Sequence, residues 1–243
     1  MKNYIAPVLF SIAIIIGAGL LANAYKNRNK KQGEIAVTGL GETNFESDKI
    51  VWNAEFSNSN YELKQAYNEL KRDKKKILDY LLSKGIKQEE IVFKAASSRQ
   101  DTKSNYSEDG RYVGESFTGY TIVQQFTISS KEVAKTEKVS REITDLLNEG
   151  IQITSSSPRY YFTNLDDLKI SLISQATENA RLRAESMAVN AGSKLGELKD
   201  AKMGIFQILG QDSGEDYSWG GTYNTSSKNK TASITMKLTY AID

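Results

Sequence analysis

The chain has 243 residues, of which 26% are charged and 39% are hydrophobic, and these values are typical of a globular protein rather than a disordered one. It contains no cysteine and no histidine. Their absence excludes disulfides, thiol nucleophiles, structural zinc and the Ser-His-Asp triad, and it removes the usual general base near neutral pH. We therefore expect a non-enzymatic protein without a cofactor or a catalytic metal.

Charge is distributed unevenly along the sequence. The formal net charge is +2, but residues 1–33 contain only basic charged residues, so residues 34–243 carry a small net negative charge. The folded part offers no overall basic field, and we expect no nucleic-acid partner.

The N-terminal segment Ile5–Leu21 contains no charged residue. Extended to Ala24, it is about 20 residues long, roughly the length of a helix that crosses a bilayer. We expect a signal anchor over residues 1–25, which attaches the chain to the membrane through residues 5–24, and a juxtamembrane linker over residues 26–33. Cleavage after Ala24 and release into the periplasm are the alternative, because small residues precede this position.

Two signals disagree on membrane orientation. The basic residues that follow the apolar segment favour a cytoplasmic domain under the positive-inside rule. The early apolar run ahead of a long domain is instead typical of an exported protein. We expect the domain to be exported and to lie on the outer side of the membrane.

The remaining chain alternates between strand and helix patterns. Strands are expected over residues 33–40, 49–56, 90–100, 112–129, 151–162, 198–209 and 232–242, and helices over 60–83, 130–148 and 164–192. Gly39-x-Gly41 is expected to break the first strand. The order β-β-α-β-β-α-β-α-β-β predicts an α+β fold with antiparallel or mixed sheets packed on amphipathic helices. We expect one domain over residues 34–243, with possible subdomains 34–162 and 163–243.

The segment Asn164–Gly192 is the most informative helix. Asn164 is a good N-cap, Asp166 and Asp167 place negative charge at the positive end of the helix dipole, and Gly192 permits the left-handed conformation that ends helices. Alanines recur every four residues in an alanine stripe, at Ala176, Ala180, Ala184 and Ala188. We expect this stripe to lie close against a sheet or another helix.

Several segments together resemble a known family. They are Glu34-Ile-Ala-Val-Thr-Gly-Leu-Gly, Gly119-Tyr120-Thr-Ile-Val-Gln, and the helix Gln175–Ala188 followed by Gly192-Ser-Lys-Leu-Gly196. Residues 34–242 resemble the SIMPL-domain family, which includes bacterial periplasmic and outer-membrane immunogenic proteins of similar size. The resemblance implies an exported α+β protein that self-associates and has a loose association with envelope maintenance and oxidative-stress resistance. It transfers no catalytic residues.

Two polar connections, residues 102–119 and 210–230, carry aromatic side chains that can stack on sugars or form protein interfaces. The alternative interpretation is a mobile hairpin tip in each case. The candidate contact residues are Tyr112, Tyr217, Trp219 and Tyr223.

Two charged patterns have ordinary explanations. Ser227-x-x-Lys230 matches the spacing of some serine-lysine acyl enzymes, but we interpret it as a chance match in a low-complexity loop. Arg181 and Arg183 are expected to form surface ion pairs with Glu178 or Glu185 rather than to bind an anion.

The leading hypothesis is a membrane-anchored envelope protein whose domain forms homo-oligomers with a structural or stress-protective role. The alternative is a binding module for cell-wall glycan or an envelope protein, which uses the aromatic loop 210–230.

Overall fold

The computed structural model describes residues 5–28 and 33–242, so residues 29–32 of the predicted linker lie outside the described residues. The elements in chain order are α1 (Ile5–Arg28), β1 (Glu34–Glu46), β2 (Lys49–Asn60), α2 (Leu63–Ser83), β3 (Ile91–Phe93), β4 (Ser97–Tyr106), β5 (Tyr112–Ser130), α3 (Val133–Glu142), β6 (Gln152–Ser155), β7 (Arg159–Tyr161), α4 (Leu165–Asn190), β8 (Leu195–Met203), β9 (Gln207–Gly210) and β10 (Asn229–Ile242). The predicted α+β class is confirmed. Three predicted strands, 90–100, 151–162 and 198–209, are each divided into two.

Helix α1 lies where the apolar segment predicts a helix. Its large apolar side chains between Val8 and Leu21 are exposed. Across residues 5–28 and 33–242, no helix is both long enough and apolar enough to span a membrane. The helix is therefore confirmed, whereas its role as a transmembrane anchor stays a prediction.

The strands form two sheets. The four-stranded sheet has the order β1-β10-β8, with β9 also paired to β10, and the six-stranded sheet has the order β3-β5-β2-β6, with β4 paired to β5 and β7 to β2. The pairings of β10 with β8 and β9 are antiparallel, as are those of β2 and β5 with their neighbours.

The chain forms two compact units, and neither is continuous in sequence. The first unit comprises the described residues of Met1–Leu40, Gln175–Gly204 and Thr235–Asp243. The second unit comprises Gly41–Ser174 and Ile205–Ile234.

The core of the second unit lies between the six-stranded sheet and helices α2 and α3. Trp52 of β2 and Phe126 of β5 are fully buried there, with their rings 5.6 Å apart in an edge-to-face arrangement. Trp52 Nε1 donates a hydrogen bond to Ser155 Oγ at 3.0 Å, so the indole is buried without losing a polar partner. This aromatic pair lies in the buried core of the second unit.

The first unit brings β1 into close contact with α4. A Cβ on Gly39 would lie 2.0 Å from the carbonyl oxygen of Ala176 and 2.8 Å from the Cβ of Ala180. All four alanines of the stripe are fully buried, which confirms that the stripe packs closely against a sheet. The prediction that Gly39-x-Gly41 breaks the first strand was wrong, because β1 continues to Glu46 and Gly39 instead leaves room for the helix.

The C-terminal end of α4 and the ion pairs of Arg181 agree with the sequence, whereas the side chain of Asn164 at the N-terminal end donates to Asp167 Oδ2 at 2.7 Å. Gly192 has a φ of 77° and Ser193 N donates to Ala188 O at 2.9 Å, the pattern that closes a helix C-terminus. Arg181 pairs with Glu178 at 2.9 Å and with Glu185 at 3.0 Å, as predicted, whereas Arg183 donates a hydrogen bond to Thr38 O at 3.0 Å.

Candidate functional site

The connection between β9 and β10, residues 211–228, is called here the β9–β10 loop. It carries three of the four candidate aromatic residues. Its closing end is held by Lys230, which is fully buried. Lys230 Nζ donates hydrogen bonds to Asn224 O at 2.7 Å and to the main-chain oxygen of Ser227. Because a buried ammonium must find oxygen partners, this lysine fixes the path of the loop.

A second anchor of the loop is Glu215. One of its carboxylate oxygens accepts from Gly210 N at 3.0 Å and the other accepts from Asn224 Nδ2 at 2.5 Å. These hydrogen bonds, that from Gly210 above all, lower the pKa of Glu215. Burial lowers the pKa of Lys230 to about 8, and the opposing charge of Glu215 limits the change. Asn224 thus links the anionic and cationic side chains of one network.

The apex of the loop is held by Gln207 of β9. Its side-chain amide donates to Ser218 O at 2.7 Å and its oxygen accepts from Ser218 N at 3.5 Å. Gly221 N also donates to Ser218 O at 3.1 Å, and Gly221 has a φ of 86°, which suits glycine in a tight turn. Trp219 lies within this turn and is 96% exposed. The backbone of the loop is therefore held by hydrogen bonds on both sides of its exposed tryptophan.

The other loop aromatics have different roles. Tyr217 is exposed, as expected for a contact residue. Tyr223 makes contacts within the protein. Its hydroxyl accepts a hydrogen bond from Phe162 N at 3.1 Å, and its ring lies 6.3 Å from that of Tyr161. Tyr223 is consequently an anchor of the loop as well as a candidate contact.

Tyr112 lies on a different surface, the hairpin of β4 and β5. Its ring packs edge-on against that of Tyr106 at 6.0 Å. In the part of the chain that the structure describes, no ring contact joins Tyr112 to Tyr217, Trp219 or Tyr223. The four predicted residues therefore do not form one cluster.

The sequence analysis missed the residues that organise the loop. Gln207, Glu215 and Asn224 carry no local pattern that distinguishes them from ordinary polar residues. The Ser227-x-x-Lys230 spacing was noticed, but the lysine contacts the main-chain oxygen of Ser227. Among the described residues, no group of three or more acidic side chains could hold a metal ion.

A second candidate surface is a groove in the first unit, between β1 and α4. It has a volume of about 540 Å³ and includes Leu182 and Met187, which are each 51% exposed. The outer edge of β1 is partly covered here. Arg183 donates to Thr38 O at 3.0 Å, and Leu40 N donates to Asn179 Oδ1 at 3.2 Å.

These observations define a mixed α+β protein built on two sheets, with an apolar groove and a pinned aromatic loop. The chain belongs to the SIMPL family, whose model matches residues 35–239 and is described as a protein of unknown function (DUF541). The predicted family is thus confirmed. The comparison with curated proteins finds no match.

Proposed function

We propose that this chain is a non-enzymatic protein of the bacterial envelope whose SIMPL domain self-associates in a structural or stress-protective role. The observation that carries the proposal is a set of large apolar side chains left exposed in the first unit. They include Leu40, Leu182, Met187 and Val189. Exposed apolar patches mark interaction sites when they are contiguous, and Leu182 and Met187 line the same groove.

The alanine stripe is not available for association between copies, since its side chains are buried within the chain. Association through the edge of β1 is also disfavoured, because Arg183 and Asn179 occupy backbone groups there. Side-chain contacts of Leu182 and Met187 are therefore the better candidate for joining two copies.

Light scattering on a chain that begins at Gly33 tests this proposal, because it keeps residues 35–239 and removes the apolar N-terminal segment. We expect a mass of two or more copies. The double substitution Leu182→Lys and Met187→Lys should reduce the mass to that of one copy. Val92→Lys, which changes an exposed apolar residue of β3, is the matched control. A monomer at high concentration would contradict the proposal.

Membrane attachment is a separate part of the proposal. It is supported by the uncharged segment Ile5–Leu21 and by the exposure of apolar side chains along α1. We propose that this segment anchors the chain, or directs its export before cleavage near Ala24, with the domain on the outer side. Protease added to intact spheroplasts should digest the domain. Protection that persists until lysis would reverse the orientation.

The second candidate function is a binding module for cell-wall glycan or an envelope protein. It is favoured by the exposure of Trp219 on a loop whose backbone is held by Gln207 and Lys230. Trp219→Ala should then abolish retention on envelope fractions without lowering the melting temperature. Tyr61→Ala, at another exposed aromatic residue, should leave retention intact. Equal retention of the Trp219→Ala variant and the native chain would contradict this function.

A further inference from the structure

We infer that the β9–β10 loop recognises a cationic protein segment that bears arginine or lysine side chains. The tryptophan ring of Trp219 would contact the cation, and the carboxylates of Asp212 and Asp216 would attract it. This inference rests on the second proposed function and specifies the chemistry of the partner.

The first argument is the preorganisation of the loop. Gln207 contacts both the N–H and the C=O of Ser218, the residue that precedes Trp219. On the other side, Gly221 closes the turn and Ile208 N donates to Thr222 O at 2.7 Å. Holding the backbone that carries an aromatic side chain in place before binding reduces the entropy lost on association. Exposed tryptophans are typical anchors of protein interfaces.

The second argument is the charge of the loop. Asp212 and Asp216 are exposed, and neither takes part in a salt bridge within the described residues. The basic residues nearby in sequence do not balance them. Lys228 pairs with Glu46 at 2.6 Å, and Lys230 is buried under the loop. The exposed surface of the loop is therefore acidic.

Together, the aromatic ring and the acidic surface favour a cation over other ligands. A guanidinium or ammonium group is attracted to the face of a tryptophan ring, and a guanidinium also pairs with carboxylates through two hydrogen bonds. An anionic headgroup or an acidic peptide would meet repulsion from Asp212 and Asp216. A neutral glycan could stack on Trp219, but it would gain nothing from these charges.

The experiment uses the full-length chain in a non-ionic detergent. The chain has two tryptophans, Trp52 and Trp219, so it gives two indole N–H signals in an NMR spectrum. Trp219→Phe assigns the signal of the exposed residue. Addition of a hexa-arginine peptide should shift the Trp219 signal and leave that of the buried Trp52 in place. The affinity, measured by calorimetry, should fall as salt is added because the charges are exposed.

Substitutions separate the contributions of ring and charge. Trp219→Ala should weaken hexa-arginine binding roughly tenfold. The pair Asp212→Asn and Asp216→Asn should weaken it roughly threefold. The matched control is the pair Glu108→Gln and Asp109→Asn, which removes two exposed charges from the β4–β5 turn and should leave binding unchanged.

The possible results distinguish this inference from the function on which it rests. If an N-acetylglucosamine oligomer or hexa-glutamate shifts the Trp219 signal and hexa-arginine does not, the loop binds a ligand but the cationic partner is wrong. If none of the three probes shifts the signal, the inference and the binding function both fail. The inference is also overturned if the Trp219→Ala variant binds hexa-arginine as tightly as the native chain. It is overturned too if the control pair lowers the affinity as much as the Asp212→Asn and Asp216→Asn pair.

Discussion

Gly39 of β1 and Ala180 of α4 approach so closely that a Cβ on the glycine would lie 2.8 Å from the Cβ of the alanine. The same added atom would lie 2.0 Å from the carbonyl oxygen of Ala176. Moving the backbone of the strand or of the helix would be energetically costly. Close contact at this point therefore requires the two smallest residues, glycine on β1 and alanine on α4.

Gly39→Ala should therefore destabilise the fold by about 3 kcal/mol, because overpacking forces the backbones apart. The measurement is the free energy of unfolding in urea. Gly214→Ala is the matched control, since nothing lies within 4 Å of an added Cβ there. Equal stability of the two variants would show that α4 is not packed against β1 in this way.

Arg183 and Asn179 protect the edge of β1. Arg183 donates to Thr38 O and Asn179 accepts from Leu40 N, so their removal leaves backbone groups free to pair with another chain. The double variant Arg183→Ala and Asn179→Ala should aggregate faster, as measured by light scattering during incubation. Arg181→Ala is the control, because Arg181 pairs with Glu178 and Glu185 on its own helix. Similar aggregation of both variants would contradict edge protection.

Thr136 of α3 is a site for stabilisation. Its hydroxyl oxygen is buried and has no hydrogen-bond partner within the described residues. Thr136→Val keeps the shape and removes the unsatisfied group, so we expect the free energy of unfolding to rise by about 1 kcal/mol. Ser140→Ala, which removes a hydroxyl bonded to Glu137 O, should give no such gain. A less stable Thr136→Val variant would mean that the hydroxyl is satisfied in solution.

We predict that the buried Lys230 makes the stability of the protein increase with pH in the alkaline range. Burial lowers its pKa to about 8 in the folded protein, against a usual value of 10.5. Between these two pKa values the unfolded chain binds more protons than the folded chain, so the free energy of unfolding rises with pH. Below pH 8 the contribution of Lys230 to stability does not change with pH. The pKa values of Tyr80 and Tyr160 are raised by burial, and their opposite effect begins near pH 10.

The measurement is the urea midpoint at pH 7.5, 8.5 and 9.5, where the native midpoint should increase. Lys230→Met should lack the increase, whereas Lys228→Met should retain it. The pKa of Lys228 is raised, because its hydrogen bond to Glu46 outweighs the lowering effect of burial. A midpoint that is independent of pH in the native chain would show that Lys230 is hydrated.

The long helix α4 could be read from the sequence because each of its signals is local. Asp166 and Asp167 lie in its first turn, the alanines repeat at the spacing of one helix face, and Gly192 ends it with a positive φ. The same spacing predicted a close contact with a sheet or another helix, because small side chains let a helix backbone approach its neighbour. The family could be recognised for the same reason, because its pattern combines this helix with short strand motifs.

Other features depended on residues that are far apart in the chain. Gly39 looks like a strand breaker in isolation, and only the presence of Ala176 and Ala180 against it explains why β1 continues. The β9–β10 loop looks mobile from its glycine and serine content, but Gln207 and a buried Lys230 hold it through hydrogen bonds to main-chain atoms. The sequence by itself determined α4, the α+β class and the family, since these follow from periodicity and local conformation. The tertiary structure alone decided where small residues meet and which polar residues are buried, because close packing and desolvation arise only when distant segments come together.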